Sequence, residues 1–200
     1  MLNNPGARRV MSAMLLPPAR FLLRMHVSPD AITLFGTLGA VVTALACFPQ
    51  GRFILGPLLI TAFAFSDLLD GTMARLAGTS GPWGNFLDAT LDRVADAAIF
   101  GGLIWWALLN DQVGVGIAAT LALATGQITS YAKARAEAVG ATANVGIAER
   151  AERLIIILAA TFFTGFGVPY LLPAALWLIG ILGIITVVQR VVHVRGQLRI

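Results

Sequence analysis

Long apolar stretches alternate with short polar segments along this chain. Six stretches approach the roughly 20 residues that an α-helix needs to cross a bilayer. They cover approximately residues 31–49, 53–75, 83–109, 113–137, 152–167 and 170–192. The segments between them contain Gly, Pro, Asn and Asp, which favour turns and end helices. The pattern predicts an all-α integral membrane protein with a bundle of six transmembrane helices.

The first 27 residues follow a different pattern, in which basic and apolar residues are mixed. The basic residues among them are Arg8, Arg9, Arg20 and Arg24. Such a segment is typical of an amphipathic element that lies on an anionic membrane surface. We expect the Pro17-Pro18 pair to break it into more than one helix. The chain is therefore divided into an interfacial segment, residues 1–27, and a six-span domain, residues 28–200. We expect no cleaved signal peptide, because prolines and Arg20 interrupt the apolar residues.

Composition and charge agree with a membrane protein. Hydrophobic residues make up 58% of the chain and charged residues only 12%, with a mean hydropathy of +0.82, which excludes an ordinary soluble protein. With six spans, most of the 14 basic residues fall on the side that holds both termini. They are Arg8, Arg9, Arg20, Arg24, Arg75, Lys133, Arg135, Arg150, Arg153, Arg190, Arg195 and Arg199. The positive-inside rule places this side in the cytoplasm of the cell. The single cysteine, Cys47, excludes a disulfide framework.

Half of the acidic residues are concentrated in one window, residues 66–96. They are Asp67, Asp70, Asp88, Asp92 and Asp96, out of ten acidic residues in the chain. A carboxylate near lipid costs about 2.5–3.5 kcal/mol on insertion scales, so a group of them needs compensation. The i,i+3 and i,i+4 spacings put each pair on one helix face, and hard carboxylate oxygens suit magnesium, manganese or calcium. The window predicts a divalent-metal site between two antiparallel helices.

The same window carries a specific motif, D-x2-D-G-x2-A-R-x8-G-x3-D-x3-D. It is matched at every position by Asp67, Asp70, Gly71, Ala74, Arg75, Gly84, Asp88 and Asp92. It resembles the signature of the CDP-alcohol phosphotransferase family. The resemblance implies six transmembrane helices, a homodimer and a two-metal site. It also implies a reaction in which an alcohol displaces CMP from a CDP-linked lipid.

The resemblance also implies roles for individual residues. Asp67 and Asp88 would bridge two Mg²⁺ ions, with Mn²⁺ as a possible substitute; Asp70 would bind mainly the first ion and Asp92 the second. Asp92 would also be the general base, and the sequence does not separate its two roles. Candidates for binding CDP-diacylglycerol are Pro29, Asp30, Thr33, Gly71, Ala74, Arg75, Ser80 and Gly81. Asp96 lies outside the motif, and we expect it to be structural or to support the metal ligands.

A second polar set is expected at the cytoplasmic ends of later spans, beside the aspartates. It consists of Ser130, Lys133, Arg153 and Arg190. These cations suit an acceptor alcohol that carries a phosphate, which a neutral alcohol does not need. The strings SYAKARAEA, ERAERLI and VQR resemble those of one subgroup, the actinobacterial phosphatidylinositol-phosphate synthases, which implies 1D-myo-inositol 3-phosphate as acceptor. Arg135 lies roughly 200° around the helix from Lys133 and is left out of this set. We expect Arg195 and Arg199 to be interfacial anchors.

The sequence allows two alternative functions. Within the family, a phosphatidylglycerophosphate synthase would use glycerol 3-phosphate, which the same cations could bind. In another class, a membrane cation transporter also carries acidic residues in its spans. Arg75 disfavours the transporter, since a cation path gains nothing from an adjacent arginine. Nucleic-acid binding is not expected. The partners implied are therefore CDP-diacylglycerol, inositol phosphate, membrane lipid and a second copy of the chain.

Overall fold

The computed structural model describes the backbone of residues 5–198 and the side chains of residues 15–198 except that of Asp67. Every regular element in this part of the chain is a helix, which confirms the all-α prediction. The helices are α1 (Pro5–Arg24), α2 (Pro29–Cys47), α3 (Leu55–Ala64), α4 (Ser66–Ala77), α5 (Pro82–Leu109), α6 (Val113–Ala138), α7 (Arg150–Gly165) and α8 (Leu171–Leu198).

The expected break in the N-terminal segment is absent, so that prediction was wrong. Helix α1 continues through Pro17 and Pro18 to Arg24. A proline inside a helix removes one backbone donor and usually kinks the helix. Packing offsets this cost here, because Ala19, directly after the pair, is fully buried and α1 packs against α4. Whether the segment lies on a membrane surface stays a prediction.

The second predicted span, 53–75, is two helices that meet at Phe65. Residues 58–70 contain no Gly or Pro that would explain the interruption. Helix α2 approaches closely on both sides of it: a Cβ on Gly36 would stand 2.7 Å from Cβ of Ser66, and Gly39 lies against the ring of Phe63. We attribute the interruption to this crowding. The other five predicted spans correspond to single helices, α2, α5, α6, α7 and α8.

Three of the described helices, α2, α6 and α8, are long and apolar enough to cross a membrane, with 19, 26 and 28 residues. Helix α5 is as long as α8, but it carries Asp88, Asp92, Arg93 and Asp96. Helices α3 and α7 have only 10 and 16 residues. These helices indicate a membrane protein, and the six-span arrangement stays a prediction.

Helix α2 exposes most of its large apolar side chains and buries its threonines. The large exposed side chains are Leu34, Phe35, Leu38, Val42 and Leu45. The buried polar side chains are Thr33, Thr37 and Thr43. In water this distribution would be unfavourable, whereas lipid accepts an apolar exterior and small polar residues favour close helix packing. The distribution supports a lipid environment for α2.

The chain forms two compact units. The first comprises the chain up to Thr43 together with Leu59–Ala95, and the second comprises Ala44–Leu58 and Asp96–Ile200. In the first unit, α1 packs on α4, and the rings of Phe35 and Phe63 meet edge to face at 5.7 Å. In the second unit, α8 packs on both α6 and α7.

Helices α6 and α8 run in the same direction in the second unit. Gly180 meets Leu121, Gly183 meets Thr125, and further along Arg190 reaches Thr129. The contacts advance together along both helices, which defines their parallel direction. The two glycines let α6 approach α8 closely, as small residues do between membrane helices. This packing brings the polar C-terminal ends of α6 and α8 side by side.

Candidate active site

Asp70 is the most enclosed of the signature aspartates whose side chains are described. It lies on α4, is 8% exposed, and accepts a 2.5 Å hydrogen bond from the hydroxyl of Thr33 on α2. The carboxylates of Asp30 and Asp88 lie near enough to Asp70 for their charges to repel it. The backbone amide of Gly71 is a second donor to Asp70. A buried carboxylate with two like charges nearby is nevertheless electrostatically unfavourable unless a cation joins it.

Asp88 and Asp92 occupy successive turns near the start of α5. Asp88 is exposed, whereas Asp92 is about one-fifth exposed and lies 3.8 Å from Arg93. Gly84 stands one turn before Asp88. A Cβ at Gly84 would meet no atom of the described residues within 4 Å. Packing within the protein therefore does not explain this glycine, and the open space beside the aspartates is available to a ligand.

The donor set fits a divalent metal. Asp70, Asp88 and Asp92 supply only carboxylate oxygens, the ligands preferred by Mg²⁺ and tolerated by Mn²⁺. Asp67 is one turn before Asp70 on α4, and its side chain lies outside the described residues. Among the described side chains, no three acids, histidines or cysteines form a ready-made metal cluster. The four-aspartate metal site consequently stays a prediction.

Gly71 and Arg75 form a small cationic surface on α4 next to Asp70. The guanidinium of Arg75 folds back along the helix and donates to the hydroxyl of Thr72 at 3.0 Å. Its Nη1 atom lies 3.6 Å from the place where a Cβ on Gly71 would stand. Because Gly71 has no side chain, a phosphate can approach both the backbone and the guanidinium here. Ala74 lies beside them and is partly buried.

The start of α2 and the first turn of α5 meet in the first unit. The indole nitrogen of Trp83 donates to the Asp30 carboxylate at 2.8 Å. Ser28 accepts a hydrogen bond from the amide of Ala31 and caps α2, whose first residue is Pro29. The Thr33–Asp70 and Trp83–Asp30 bonds place the first turn of α2 beside Asp70 and the start of α5. Ser80 and Gly81 lie in the exposed segment between α4 and α5.

The contact between Thr33 and Asp70 leads to a testable prediction. Thr33→Val removes the donor and leaves the Asp70 carboxylate less well oriented. Losing a hydrogen bond that orients a metal ligand typically lowers metal affinity about 10- to 100-fold. We therefore expect the Mg²⁺ concentration that gives half-maximal activity to rise about tenfold.

Thr37→Val is the matched control, because Thr37 is also buried and lies one turn further along α2. Thr33→Ser should restore the donor and most of the metal affinity. Equal Mg²⁺ dependence in Thr33→Val and Thr37→Val would show that the bond does not serve a metal ligand.

The predicted acceptor residues lie in the second unit, and the structure gathers three of them around one stretch of α6. Arg153 is 3% exposed, donates to the carbonyl of Ala148 and packs its guanidinium against Gly126. Arg190 is 5% exposed and donates to the carbonyls of Thr129 and Val145. Ser130 donates to the carbonyl of Gly126.

Lys133 follows Ser130 by three residues, on the same face of α6, and is partly buried. The two guanidinium groups are buried and held against backbone carbonyls. Burial of such charges is costly, and Glu149 lies near enough to Arg190 to offset part of the cost. A phosphate bound at this cluster would offset more of it. The sequence could not predict the carbonyl partners of the two arginines, since every residue has a backbone carbonyl.

Asp96 has a structural partner that the sequence did not identify. Its carboxylate accepts from Nε of Arg150, at the start of α7, at 3.2 Å, and Asp96 itself is buried. The pair joins the middle of α5 to α7 within the second unit. This contact supports the expected structural role and gives no indication that Asp96 binds metal.

Breaking this ion pair is expected to lower stability. Asp96→Asn replaces the carboxylate that pairs with Arg150 by a neutral amide, and because Arg150 is one-quarter exposed we expect a loss of about 1–3 kcal/mol in unfolding free energy. The midpoint of thermal unfolding in detergent measures it. Glu152→Gln, an exposed substitution in the first turn of α7, is the control. An unchanged midpoint in Asp96→Asn would contradict the structural role.

Comparison with known proteins identifies the class. The family model for CDP-alcohol phosphatidyltransferases matches residues 26–191, which include all eight signature positions. The chain belongs to the CDP-alcohol phosphatidyltransferase family and is thus a transferase of phospholipid synthesis.

Within the family, the chain is similar to phosphatidylinositol phosphate synthases. The phosphatidylinositol phosphate synthase of Streptomyces avermitilis is 49% identical over 97% of this chain and 83% of its own length. A crystal structure of the Mycobacterium tuberculosis phosphatidylinositol phosphate synthase with CDP-DAG bound superposes with a TM-score of 0.87 at 40% identity, covering 93% of this chain and 94% of that one. A second structure of that enzyme, in complex with manganese and citrate, gives 0.86 at 41% identity, covering 90% and 88%.

Proposed function

We propose that this protein transfers the phosphatidyl group from CDP-diacylglycerol to 1D-myo-inositol 3-phosphate and releases CMP. The observation that carries the proposal is the cluster of Arg153 and Arg190, two buried guanidinium groups gathered on residues 126–130 of α6. A phosphorylated acceptor supplies the anion that these groups favour. The proposal also agrees with the relatives compared above, which are phosphatidylinositol phosphate synthases.

The donor binds in the first unit. Asp67, Asp70, Asp88 and Asp92 would hold two Mg²⁺ ions, which when bound neutralise the diphosphate and stabilise the departing phosphate oxygens. Gly71 and Arg75 bind and orient the diphosphate. Pro29, Asp30, Thr33, Ala74, Ser80 and Gly81 complete the nucleotide-binding surface.

The transfer is a displacement at phosphorus. The acceptor hydroxyl oxygen bonds to the phosphorus that carries diacylglycerol, the bond from that phosphorus to the CMP oxygen breaks, and CMP leaves. Asp92 accepts the hydroxyl proton, which raises the nucleophilicity of the oxygen. Arg75 neutralises charge on the diphosphate during the step. The product is a phosphatidylinositol phosphate.

The acceptor phosphate binds to Ser130, Lys133, Arg153 and Arg190. Arginine contributes a planar, permanently charged group with several donors, and lysine adds a mobile point charge. Since Arg153 and Arg190 are already oriented by carbonyls, little side-chain entropy is lost when the phosphate binds.

The membrane arrangement completes the proposal. The protein is a homodimer in the cell membrane, with six spans per chain and residues 1–27 on the membrane surface. Both termini and the active site face the cytoplasm, as the distribution of basic residues favours. The donor is a membrane lipid, whereas the acceptor and CMP are water-soluble.

The acceptor assay tests the proposal. Purified protein with CDP-diacylglycerol and Mg²⁺ is given inositol phosphate, glycerol 3-phosphate or unphosphorylated inositol in separate reactions, and CMP and lipid products are measured. We expect turnover with inositol phosphate at least about 100-fold faster than with inositol, because the cluster binds the phosphate. Turnover with glycerol 3-phosphate alone would instead identify a phosphatidylglycerophosphate synthase. No CMP release with any alcohol would overturn the transferase mechanism.

A further inference from the structure

A groove separates the C-terminal ends of α6 and α8 in the second unit, apart from the cluster that binds the acceptor. Its cavity has a volume of about 440 Å³. It is lined by Ala132, Arg135, Ala136 and Val139 of α6, and by Arg190, Val191, Val194 and Arg195 of α8. The walls are apolar apart from the arginines.

Helix periodicity explains why Arg135 belongs to this groove. Residues 132, 135, 136 and 139 follow the i, i+3, i+4, i+7 spacing of one face of α6. Lys133 points about 200° away from Arg135, towards a different part of the surface. Arg190 contributes its stem to the groove, since its guanidinium donates to the carbonyls of Thr129 and Val145.

Arg135 and Arg195 carry the positive charge of the groove. Both are exposed, and neither has an ion-pair or hydrogen-bond partner within the described residues. Two cations at the rim of one apolar groove therefore remain available to an anion.

The floor and one side of the groove are fixed. Ala136, Ala141 and Ala143 are buried, and Val194 packs against them. The segment after α6 is attached to the last turn of α8 by three hydrogen bonds between Thr142 and Gln197, at 2.9 Å, 3.3 Å and 2.7 Å. A preformed groove of this kind costs little free energy to reorganise when a ligand enters.

We propose that this groove binds one anionic phospholipid of the surrounding membrane. The phosphate lies between Arg135 and Arg195, and one acyl chain covers Ala132 and Val191, which lie one turn deeper in the membrane. Basic pockets between transmembrane helices on the cytoplasmic side commonly bind anionic headgroups, and the charge and apolar walls of this groove match both parts of such a lipid. Arg195 is thus a lipid ligand at a defined site, beyond the general anchoring expected from the sequence.

Native mass spectrometry of the detergent-purified protein tests the site with phosphatidylglycerol and with phosphatidylcholine of the same acyl chains. The double variant Arg135→Gln/Arg195→Gln removes both cations at exposed positions. We expect its affinity for phosphatidylglycerol to fall about 10- to 30-fold, with phosphatidylcholine binding unchanged. Millimolar inorganic phosphate should not displace the lipid, because the acyl chain supplies much of the binding.

Arg52→Gln is the control, since Arg52 is an exposed arginine in the turn before α3, outside the groove and outside the basic N-terminal segment. It should bind phosphatidylglycerol like the unaltered protein, and Arg135→Lys/Arg195→Lys should retain most of the affinity. Equal loss in Arg52→Gln and the double variant, no loss in the double variant, or displacement by free phosphate would each overturn the proposal. No substrate is present, so the outcome is independent of the proposed reaction.

Discussion

Asp92→Asn is expected to reduce CMP release by about 10³-fold or more, the largest effect of any single substitution proposed for this protein. An amide cannot accept the proton of the acceptor hydroxyl, and it is a weaker ligand for a divalent ion. The fold should be retained, because Asp92 is partly exposed and asparagine has the same shape. The assay is CMP release from CDP-diacylglycerol with Mg²⁺ and inositol phosphate, together with size-exclusion elution.

Asp111→Asn provides the control for this result. Asp111 is an exposed carboxylate in the turn after α5, with a positive φ of 55° that asparagine also tolerates. It should retain full activity. A rate in Asp92→Asn within tenfold of the unaltered protein would contradict the assignment of Asp92 as base and metal ligand.

Lys133→Gln has the second largest expected effect, and it should weaken the binding of the acceptor alone. Losing a charge-assisted hydrogen bond to a phosphate costs about 1.5–3 kcal/mol, so the KM for inositol phosphate should rise roughly 10- to 100-fold. The KM for CDP-diacylglycerol should not change. Lys133 is a better target than the arginines, because removing buried Arg153 or Arg190 would also remove their hydrogen bonds to backbone carbonyls.

Two comparisons make this result specific. Lys133→Arg retains the charge and should recover most of the affinity, although its geometry differs. Arg52→Gln removes an exposed cation in the turn before α3 and should leave both KM values unchanged. If Lys133→Gln raised the KM for both substrates equally, the lysine would not belong to an acceptor site.

Local patterns in the sequence predicted the helices well, because apolar length and turn residues act within a few positions. For example, α5 ends at Leu109, directly before the predicted Asn110-Asp111 turn, and α6 begins at Val113, shortly after it. The failures came from packing. The interruption at Phe65 coincides with the close approach of α2, and the continuity of α1 through Pro17 depends on burial against α4. Neither contact can be inferred from local spacing.

In the candidate site, too, local spacing could be predicted from the sequence and tertiary contacts could not. The Asp88–Asp92 spacing is local, so one helix face could be predicted directly. The contacts of Thr33 with Asp70 and of Trp83 with Asp30 join residues 37 and 53 positions apart, and only the tertiary structure reveals them.

The sequence predicted which residues belong to the cationic cluster, but not how they are arranged. Its arrangement depends on the backbone carbonyls of Thr129 and Val145, which accept from Arg190. Every residue has such a carbonyl, so no side-chain pattern identifies these two. The groove of Arg135 and Arg195 required the parallel packing of α6 and α8.

Manganese binding followed by electron paramagnetic resonance tests the central claim most directly. The purified protein, titrated with Mn²⁺ in the presence of CDP-diacylglycerol, should bind two ions per chain with the magnetic coupling of ions about 4 Å apart. Asp70→Asn/Asp88→Asn should lose both the coupling and the tight binding, while Asp111→Asn keeps them. Undiminished coupled binding in the double aspartate variant, or no tight Mn²⁺ in the unaltered protein, would contradict a metal centre formed by α4 and α5.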